Sequence, residues 1–183
     1  MNMLFTGKGD NGTTQLFGCD QRIAKSSDIA EALGTVDEIN SLLGIVKLAG
    51  GNTIATDGLN YQQLLSLVQQ DLFVIQAELA GADKKMDITR VKKLEEWIGL
   101  IEGELSPITS FFVSGGTKLA ALCDFARTVA RRAERRVVCA LNIADPALHP
   151  PMFQYMNRLS SLLYALARLA NHRGDVKEEQ PRY

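Results

Sequence analysis

The chain has 183 residues, of which 46% are hydrophobic and 22% are charged, and its formal net charge is -1. This length and composition are typical of one globular domain with a sizeable core, and the charge balance argues against general binding to nucleic acid or to membrane surfaces. The three cysteines and two histidines lack the spacing of metal ligands, and the absence of a Glu-x-x-His pair argues against a zinc site or a ferritin-like di-iron bundle.

The sequence contains no apolar run long enough to cross a bilayer, and its N-terminus lacks a basic region followed by an apolar core. We therefore expect a cytoplasmic protein. In that reducing compartment Cys19, Cys123 and Cys139 would be free thiols.

Residues 1–26 have no helical pattern and contain a glycine-rich loop, TGKGDNGTT, at residues 6–14. The loop fits Gly-x-Gly-x-x-Gly, but it has neither the preceding strand nor the following helix of a Rossmann site, and it lacks the Gly-Lys-Ser/Thr of a Walker loop. Its glycines would still let backbone N–H groups approach an anion, with Lys8, Thr6, Thr13 and Thr14 as further donors. The alternative is a disordered N-terminal tail.

Apolar residues at helical spacing predict five helices, at about residues 27–50, 59–79, 89–104, 118–144 and 152–171. Thr117, which follows Gly115 and Gly116, is the expected N-cap of the fourth helix. No strand pattern is evident. We predict an all-α fold in a single domain, with a loop at residues 1–26, an antiparallel five-helix bundle at residues 27–173, and a charged tail at residues 174–183.

The fourth predicted helix carries Arg127, Arg131 and Arg135, which are spaced four residues apart and therefore share one face, the arginine ridge. Because like charges at this spacing repel by roughly a few tenths of a kcal/mol per pair, a carboxylate on a neighbouring helix or a polyphosphate is expected opposite them. The alternative is a solvated arginine face. On the other side of the helix, apolar residues at helical spacing predict a core stripe, made of Leu119, Leu122, Ala126, Ala130, Ala133 and Val137.

The fifth predicted helix also has a polar face. Its members lie at i, i+4, i+7 and i+11, and they are Asn157, Ser161, Tyr164 and Arg168.

Several motifs that stand in order along nearly the whole chain carry a family resemblance. They are FTGKGDNGTT at 5–14, Arg22 and Lys25, EALGTVDEINS at 31–41, GGT at 115–117, ART at 126–128, RRAER at 131–135 and NRLS at 157–160. Together they resemble the PduO-type ATP:cob(I)alamin adenosyltransferases.

This resemblance implies a homotrimer of five-helix bundles with active sites between neighbouring subunits. It implies transfer of the 5′-deoxyadenosyl group of ATP to cob(I)alamin, with release of triphosphate and a requirement for Mg²⁺, whose protein ligands it does not assign. A cobalt reductase and an adenosylcobalamin-dependent enzyme are the possible partners. The alternative is a nucleotide-responsive or corrinoid-carrying trimer without efficient turnover.

The resemblance also implies roles for individual residues. Phe111 would sit against the corrin and help displace the lower axial ligand of cobalt, and Asp37 would pair with Arg127. Tyr164 would line the corrin pocket. The residues implied to line the nucleotide are Thr6, Gly7, Lys8, Gly9, Thr14 and Lys25 in the N-terminal region, and Arg131, Glu134, Arg135 and Asn157 in the bundle.

The implied reaction needs no general base, because the nucleophile is cobalt and the leaving group is triphosphate. Cations that hold the triphosphate are needed instead, and the loop lysines and ridge arginines supply them. Four positions depart from the usual family pattern: Ser114 stands for proline, Cys123 for histidine, Ser161 for aspartate and Tyr164 for phenylalanine. The last three concern details of corrinoid binding rather than the reaction.

Overall fold

The computed structural model describes residues 4–16, 20–141 and 150–182. These contain helices α1 (Asp28–Gly50), α2 (Tyr61–Leu79), α3 (Ile88–Glu102), α4 (Lys118–Leu141) and α5 (Pro150–Arg173). The five predicted helices are confirmed, with ends within about two residues of the expected ones. The predicted end of α4 near Asp145 and the thiol of Cys19 lie outside the described residues.

The expectation of no strands is wrong at two short hairpins. Strand β1 (Thr13–Gln15) pairs antiparallel with β2 (Arg22–Ala24), and β3 (Ile54–Thr56) pairs antiparallel with β4 (Leu59–Asn60). Strands of two or three residues are too short to display an alternating pattern. The second hairpin turns at Asp57 and Gly58, which both have positive φ angles, 51° and 69°, as a two-residue Asp-Gly hairpin turn requires.

Helix α4 lies at the centre of the bundle, packed between α1 and α5, while α2 packs on α1 and α3 packs on α5. The predicted core stripe of α4 is confirmed: its alanines and Val137 are fully buried, and Leu119 and Leu122 are half-buried against the core. Small side chains here let the neighbouring helices approach closely. The arginine ridge therefore lies on the side of α4 that the bundle leaves open.

A polar cluster with Tyr155 and Asp71 buried at its centre ties three helices together. Tyr155 of α5 donates from its hydroxyl to Asp71 of α2 over 2.9 Å, and Arg90 of α3 forms an ion pair with the same carboxylate. Burial, reinforced by the Asp71 charge, raises the pKa of the Tyr155 hydroxyl well above its ordinary value, so this group stays protonated and donates. None of the helices among the described residues is both long and apolar enough to cross a membrane.

Candidate functional site

A cavity of about 480 Å³ opens between α4, α5 and the segment that precedes α4. We call residues 106–117 the aromatic segment, because they carry Phe111 and Phe112. The cavity brings together seven residues singled out from the sequence, which are Phe111, Ser114, Arg127, Arg131, Ser161, Tyr164 and Arg168. They come from three separate parts of the chain, so the fold assembles one half of the expected site.

One wall of the cavity is aromatic. Phe111 is 81% exposed, whereas Phe112 is half-buried with its ring 5.3 Å from the guanidinium carbon of Arg168. Tyr164 is half-buried on α5, and burial raises the pKa of its hydroxyl above the ordinary value, so that it remains neutral. This wall can accommodate a flat, largely apolar ligand.

The other wall carries positive charge. Arg127 pairs through Nε with Asp124 Oδ1 over 3.3 Å, and its guanidinium carbon lies 5.9 Å from the centre of the Tyr164 ring. Within the chain Asp124 thus takes the place expected for Asp37, because it lies one helical turn earlier on the same helix, whereas Asp37 is exposed on α1. The expected Arg127–Asp37 pair does not form within a single chain.

The other four arginines of α4 divide into two groups. Arg132 and Arg136 pair with carboxylates of α1, at 2.5 Å from Glu38 and 3.5 Å from Glu31. The side chains of Arg131 and Arg135 have no acidic partner among residues 4–16, 20–141 and 150–182, and Arg135 donates only to the carbonyl of Arg131. Two exposed cations on the ridge are therefore available to an external anion.

Glu134 and Asn157, which the sequence assigned to the nucleotide, do meet. Asn157 donates through Nδ2 to Glu134 Oε1 over 3.0 Å. Arg158 donates to Asn157 Oδ1 over 2.8 Å and to Glu95 Oε1 over 2.9 Å, which sets the orientation of the Asn157 amide. Arg158 and Glu95 were not assigned roles from the sequence, because Glu95 lies on α3, far from the motif in the chain.

The N-terminal loop is organised by Arg22. Its guanidinium donates to the Thr13 hydroxyl, the Thr13 carbonyl and the Lys8 carbonyl at 2.6–2.9 Å. Lys25 lies against Gly9, where a Cβ atom would be 3.1 Å from the ammonium nitrogen. Gly7 and Gly12 have positive φ angles and turn the loop back on itself.

The loop residues implied to line the nucleotide lie at the surface: Thr6, Lys8 and Lys25 are exposed, and Thr14 is half-buried. Within the described part of the chain, no hydrogen bond of Arg127, Arg131 or Arg135 reaches this loop.

Cys123 does not line the cavity. It is fully buried in the core of α4, and burial raises the pKa of its thiol to about 12, so the group is a neutral packing element.

Asn171 is a structurally important residue that the sequence did not single out. It is 6% exposed on α5, accepts from the Thr117 backbone N–H over 2.9 Å and donates to the Gly115 carbonyl over 2.9 Å. The Thr117 hydroxyl in turn accepts from Ala120 N–H, which confirms the predicted N-cap. Asn171 therefore fixes the end of the aromatic segment against α5.

The charged tail folds back on the cavity. The Val113 N–H donates to the Glu179 carbonyl over 2.8 Å, and Glu178 lines the cavity while paired with Arg168. The tail thus forms part of the same wall as the aromatic segment.

Replacing Gly116 with alanine is expected to destabilise the protein by about 1–3 kcal/mol. Gly116 has a φ of 95°, and a Cβ atom there would lie 2.3 Å from Asn171 Oδ1. Thermal unfolding measures the effect. The matched control is Gly99→Ala on α3, where no atom lies within 4 Å and a gain of about 0.5–1 kcal/mol is expected. A Gly116→Ala protein as stable as the control would contradict the role of Asn171.

Comparison with known proteins supplies a context for this geometry. The family described as cobalamin adenosyltransferase matches the chain over residues 4–170. The corrinoid adenosyltransferase of Bacillus subtilis is 35% identical, covering 97% of this chain and 92% of that protein. The corrinoid adenosyltransferase PduO of Citrobacter freundii is 38% identical over 92% of this chain. The chain spans about half the length of the PduO proteins of C. freundii and Salmonella typhimurium.

Solved structures show the same fold. A phenylalanine-to-alanine variant of the PduO-type ATP:corrinoid adenosyltransferase from Lactobacillus reuteri, complexed with cobalamin and ATP, has a TM-score of 0.87 and 30% identity, covering 99% of this chain and all of that one. An arginine-to-lysine variant of the L. reuteri protein, complexed with ATP, has a TM-score of 0.83 and 29% identity, covering 98% of this chain and all of that one.

Proposed function

The chain belongs to the cobalamin adenosyltransferase family, and from this we propose that it transfers the 5′-deoxyadenosyl group of ATP to cob(I)alamin and releases triphosphate. The observation that carries the proposal is the cavity, which has an aromatic wall on one side and arginines on the other. A large, flat corrinoid and a polyanionic nucleotide are ligands of matching chemistry.

In this proposal the aromatic wall receives the corrinoid. Phe111 is the ring that sits against it, because Phe111 is exposed to the cavity whereas Phe112 is held over Arg168. Tyr164 lines the same pocket, and Ser161 adds a hydroxyl at its edge. The neutral hydroxyl of Tyr164 adds no charge to this wall.

The nucleotide lies along the open side of α4 and under the N-terminal loop. Arg131 and Arg135, which lack acidic partners among the described residues, bind the triphosphate together with Lys8 and Lys25. The residues that shape the rest of the nucleotide site are Thr6, Gly7, Gly9, Thr14, Glu134 and Asn157. Arg127 bridges the two halves, since it lies beside both Arg131 and Tyr164 in the cavity.

The chemistry follows from the placement of the corrinoid at the aromatic wall and of the nucleotide at the arginines. An electron pair of cob(I)alamin cobalt forms the bond to C5′ of ATP, the bond between C5′ and the triphosphate oxygen breaks, and its electron pair leaves on the triphosphate. The protein aligns the two substrates and stabilises the charge that gathers on the leaving oxygen, for which fixed arginines are well suited. No proton needs to be abstracted from carbon, and no general base is required.

In this proposal an Mg²⁺ ion arrives with the nucleotide, since Mg²⁺ is commonly held by one carboxylate, substrate phosphates and water. Residues 4–16, 20–141 and 150–182 contain no group of three or more acidic, cysteine or histidine side chains that could hold a metal ion by themselves. Glu134 is the carboxylate beside Arg131 and Arg135 that would hold it. Bound there, the ion would neutralise charge on the phosphates.

The active assembly in this proposal is a homotrimer with sites between subunits. The N-terminal loop makes no hydrogen bond to the arginine ridge within the described chain, so a neighbouring subunit would supply one half of the nucleotide site. Asp37, exposed on α1, would then be available to Arg127 of a neighbour. The cytoplasmic location, the cobalt reductase and the downstream enzyme stay predictions.

Mixing two inactive variants tests this arrangement. Lys25→Ala and Arg131→Ala remove one cation each from the loop and from the ridge. In each mixed trimer about one site in three should combine an intact loop with an intact ridge and regain activity, if these come from different subunits. Co-expression with two different tags and a two-step purification isolates the mixed assemblies. Mixed trimers as inactive as either parent would contradict the intersubunit site, and a molar mass other than three chains of 20.1 kDa would contradict the trimer.

An anaerobic assay tests the reaction itself. The protein is combined with ATP, Mg²⁺ and chemically reduced cob(I)alamin, and the absorbance of cob(I)alamin and of adenosylcobalamin is followed. We expect the first to fall and the second to rise only when both protein and ATP are present. Nucleotide binding without turnover would contradict the enzyme and favour the carrier alternative.

A further inference from the structure

Arg168 is an unusual residue of the cavity wall, because it is a charged side chain that is only 7% exposed. Burying a guanidinium is costly unless its charge and its donors are satisfied. Here Nε lies 3.2 and 3.1 Å from the two carboxylate oxygens of Glu178, and Nη2 donates to the Ser106 carbonyl over 3.1 Å. The guanidinium carbon also lies 5.3 Å from the centre of the Phe112 ring.

These contacts join three parts of the wall at one side chain. Ser106 begins the aromatic segment, Phe112 lies in its middle, and Glu178 belongs to the tail. A second tie between the same parts is the hydrogen bond from Val113 N–H to the Glu179 carbonyl. The conformation of the segment therefore depends on Arg168 as well as on Asn171.

The contact with Phe112 distinguishes two adjacent phenylalanines. Both rings line the cavity, but Phe112 is half-buried against Arg168, while Phe111 is 81% exposed. Arg168 therefore holds the Phe112 ring in the wall and leaves the Phe111 ring free to contact a ligand.

We propose that Arg168 is a positioning residue for the corrinoid half of the site, which acts by anchoring Phe112 and the tail so that Phe111 faces the ligand. The inference rests on the proposed function, since it assigns Phe111 to the corrinoid. A purely structural ion pair would also explain burial of Arg168 beside Glu178, so the test must separate the pair from the contact with Phe112.

The charge-swapped variant Arg168→Glu/Glu178→Arg makes that separation. It retains opposite charges at the two positions but removes the cation over Phe112 and the donor to Ser106. Loss of a contact of this kind is expected to lower activity with cobalamin by about tenfold, with the KM for ATP unchanged. Activity with cobinamide, which has no lower ligand to displace, should fall by a smaller factor. The thermal unfolding temperature of the variant shows whether the reversed ion pair still stabilises the fold.

Phe112→Ala supplies a matched measurement. If Arg168 acts through this ring, Phe112→Ala and Arg168→Met should show the same preference for cobinamide over cobalamin, and the double variant should lose little beyond either single one. Additive losses, or equal losses with both corrinoids, would contradict the positioning role while leaving the proposed reaction intact. A wild-type protein that fails to turn over ATP and cob(I)alamin would contradict the proposed function, and the positioning role with it.

Discussion

Replacing Arg131 with alanine is expected to lower the turnover of ATP and cob(I)alamin by about 10²–10³-fold, the usual effect of removing one donor that stabilises a charged leaving group. Arg131 is exposed, lines the cavity and has no acidic partner among the described residues, so in the proposed complex its charge is directed at the triphosphate. The buried face of α4 is untouched by the change. Circular dichroism should therefore show unchanged helix content, while the anaerobic assay shows the loss.

Arg136→Ala is the matched control for this prediction. Arg136 lies on the same helix and is exposed, but it pairs with Glu31 of α1 instead of lining the cavity. Its removal should cost little, as is usual for a surface ion pair. Unchanged activity in Arg131→Ala, or equal losses in the two variants, would contradict the role of Arg131 in triphosphate binding.

Replacing Phe111 with alanine is expected to lower activity with cobalamin by about 10–100-fold, as the loss of a ring that is buried in the complex would do. Activity with cobinamide should fall much less. The physical reason is that displacement of the lower axial ligand requires a bulky apolar group beside the corrin, and cobinamide has no such ligand. Parallel assays with the two corrinoids under the same anaerobic conditions measure the ratio.

Phe73→Ala controls for the loss of an exposed aromatic ring as such. Phe73 is 57% exposed on α2 and does not line the cavity, so its removal should leave both activities unchanged. If Phe111→Ala lowers activity with cobalamin and cobinamide by the same factor, displacement of the lower ligand is not the role of this ring.

The helices could be predicted from the sequence because their signals are local. The stripe from Ala126 to Val137 repeats with the period of a helix, and the Gly115-Gly116-Thr117 sequence marks where α4 begins. The short hairpins were missed because two or three residues show no period, although Asp57-Gly58 carries a recognisable turn signal.

The candidate site was partly predictable. The family resemblance implied roles for Phe111, Arg127, Arg131 and Tyr164, and the fold brings these four to one cavity. The expected partner of Arg127 was not found within the chain, because an aspartate one turn away on the same helix is closer than one on another helix.

By itself, then, the sequence determined the five helices, their buried faces and the presence of an exposed arginine ridge, since each depends on residues within a few turns of one another. Only the tertiary structure decided which arginines remain available: Arg132 and Arg136 are neutralised by α1, while Arg131 and Arg135 are not. It also decided that Asn171 and Arg168 hold the aromatic segment. These contacts join residues more than fifty positions apart, and their formation depends on how the helices pack rather than on any pattern along the chain.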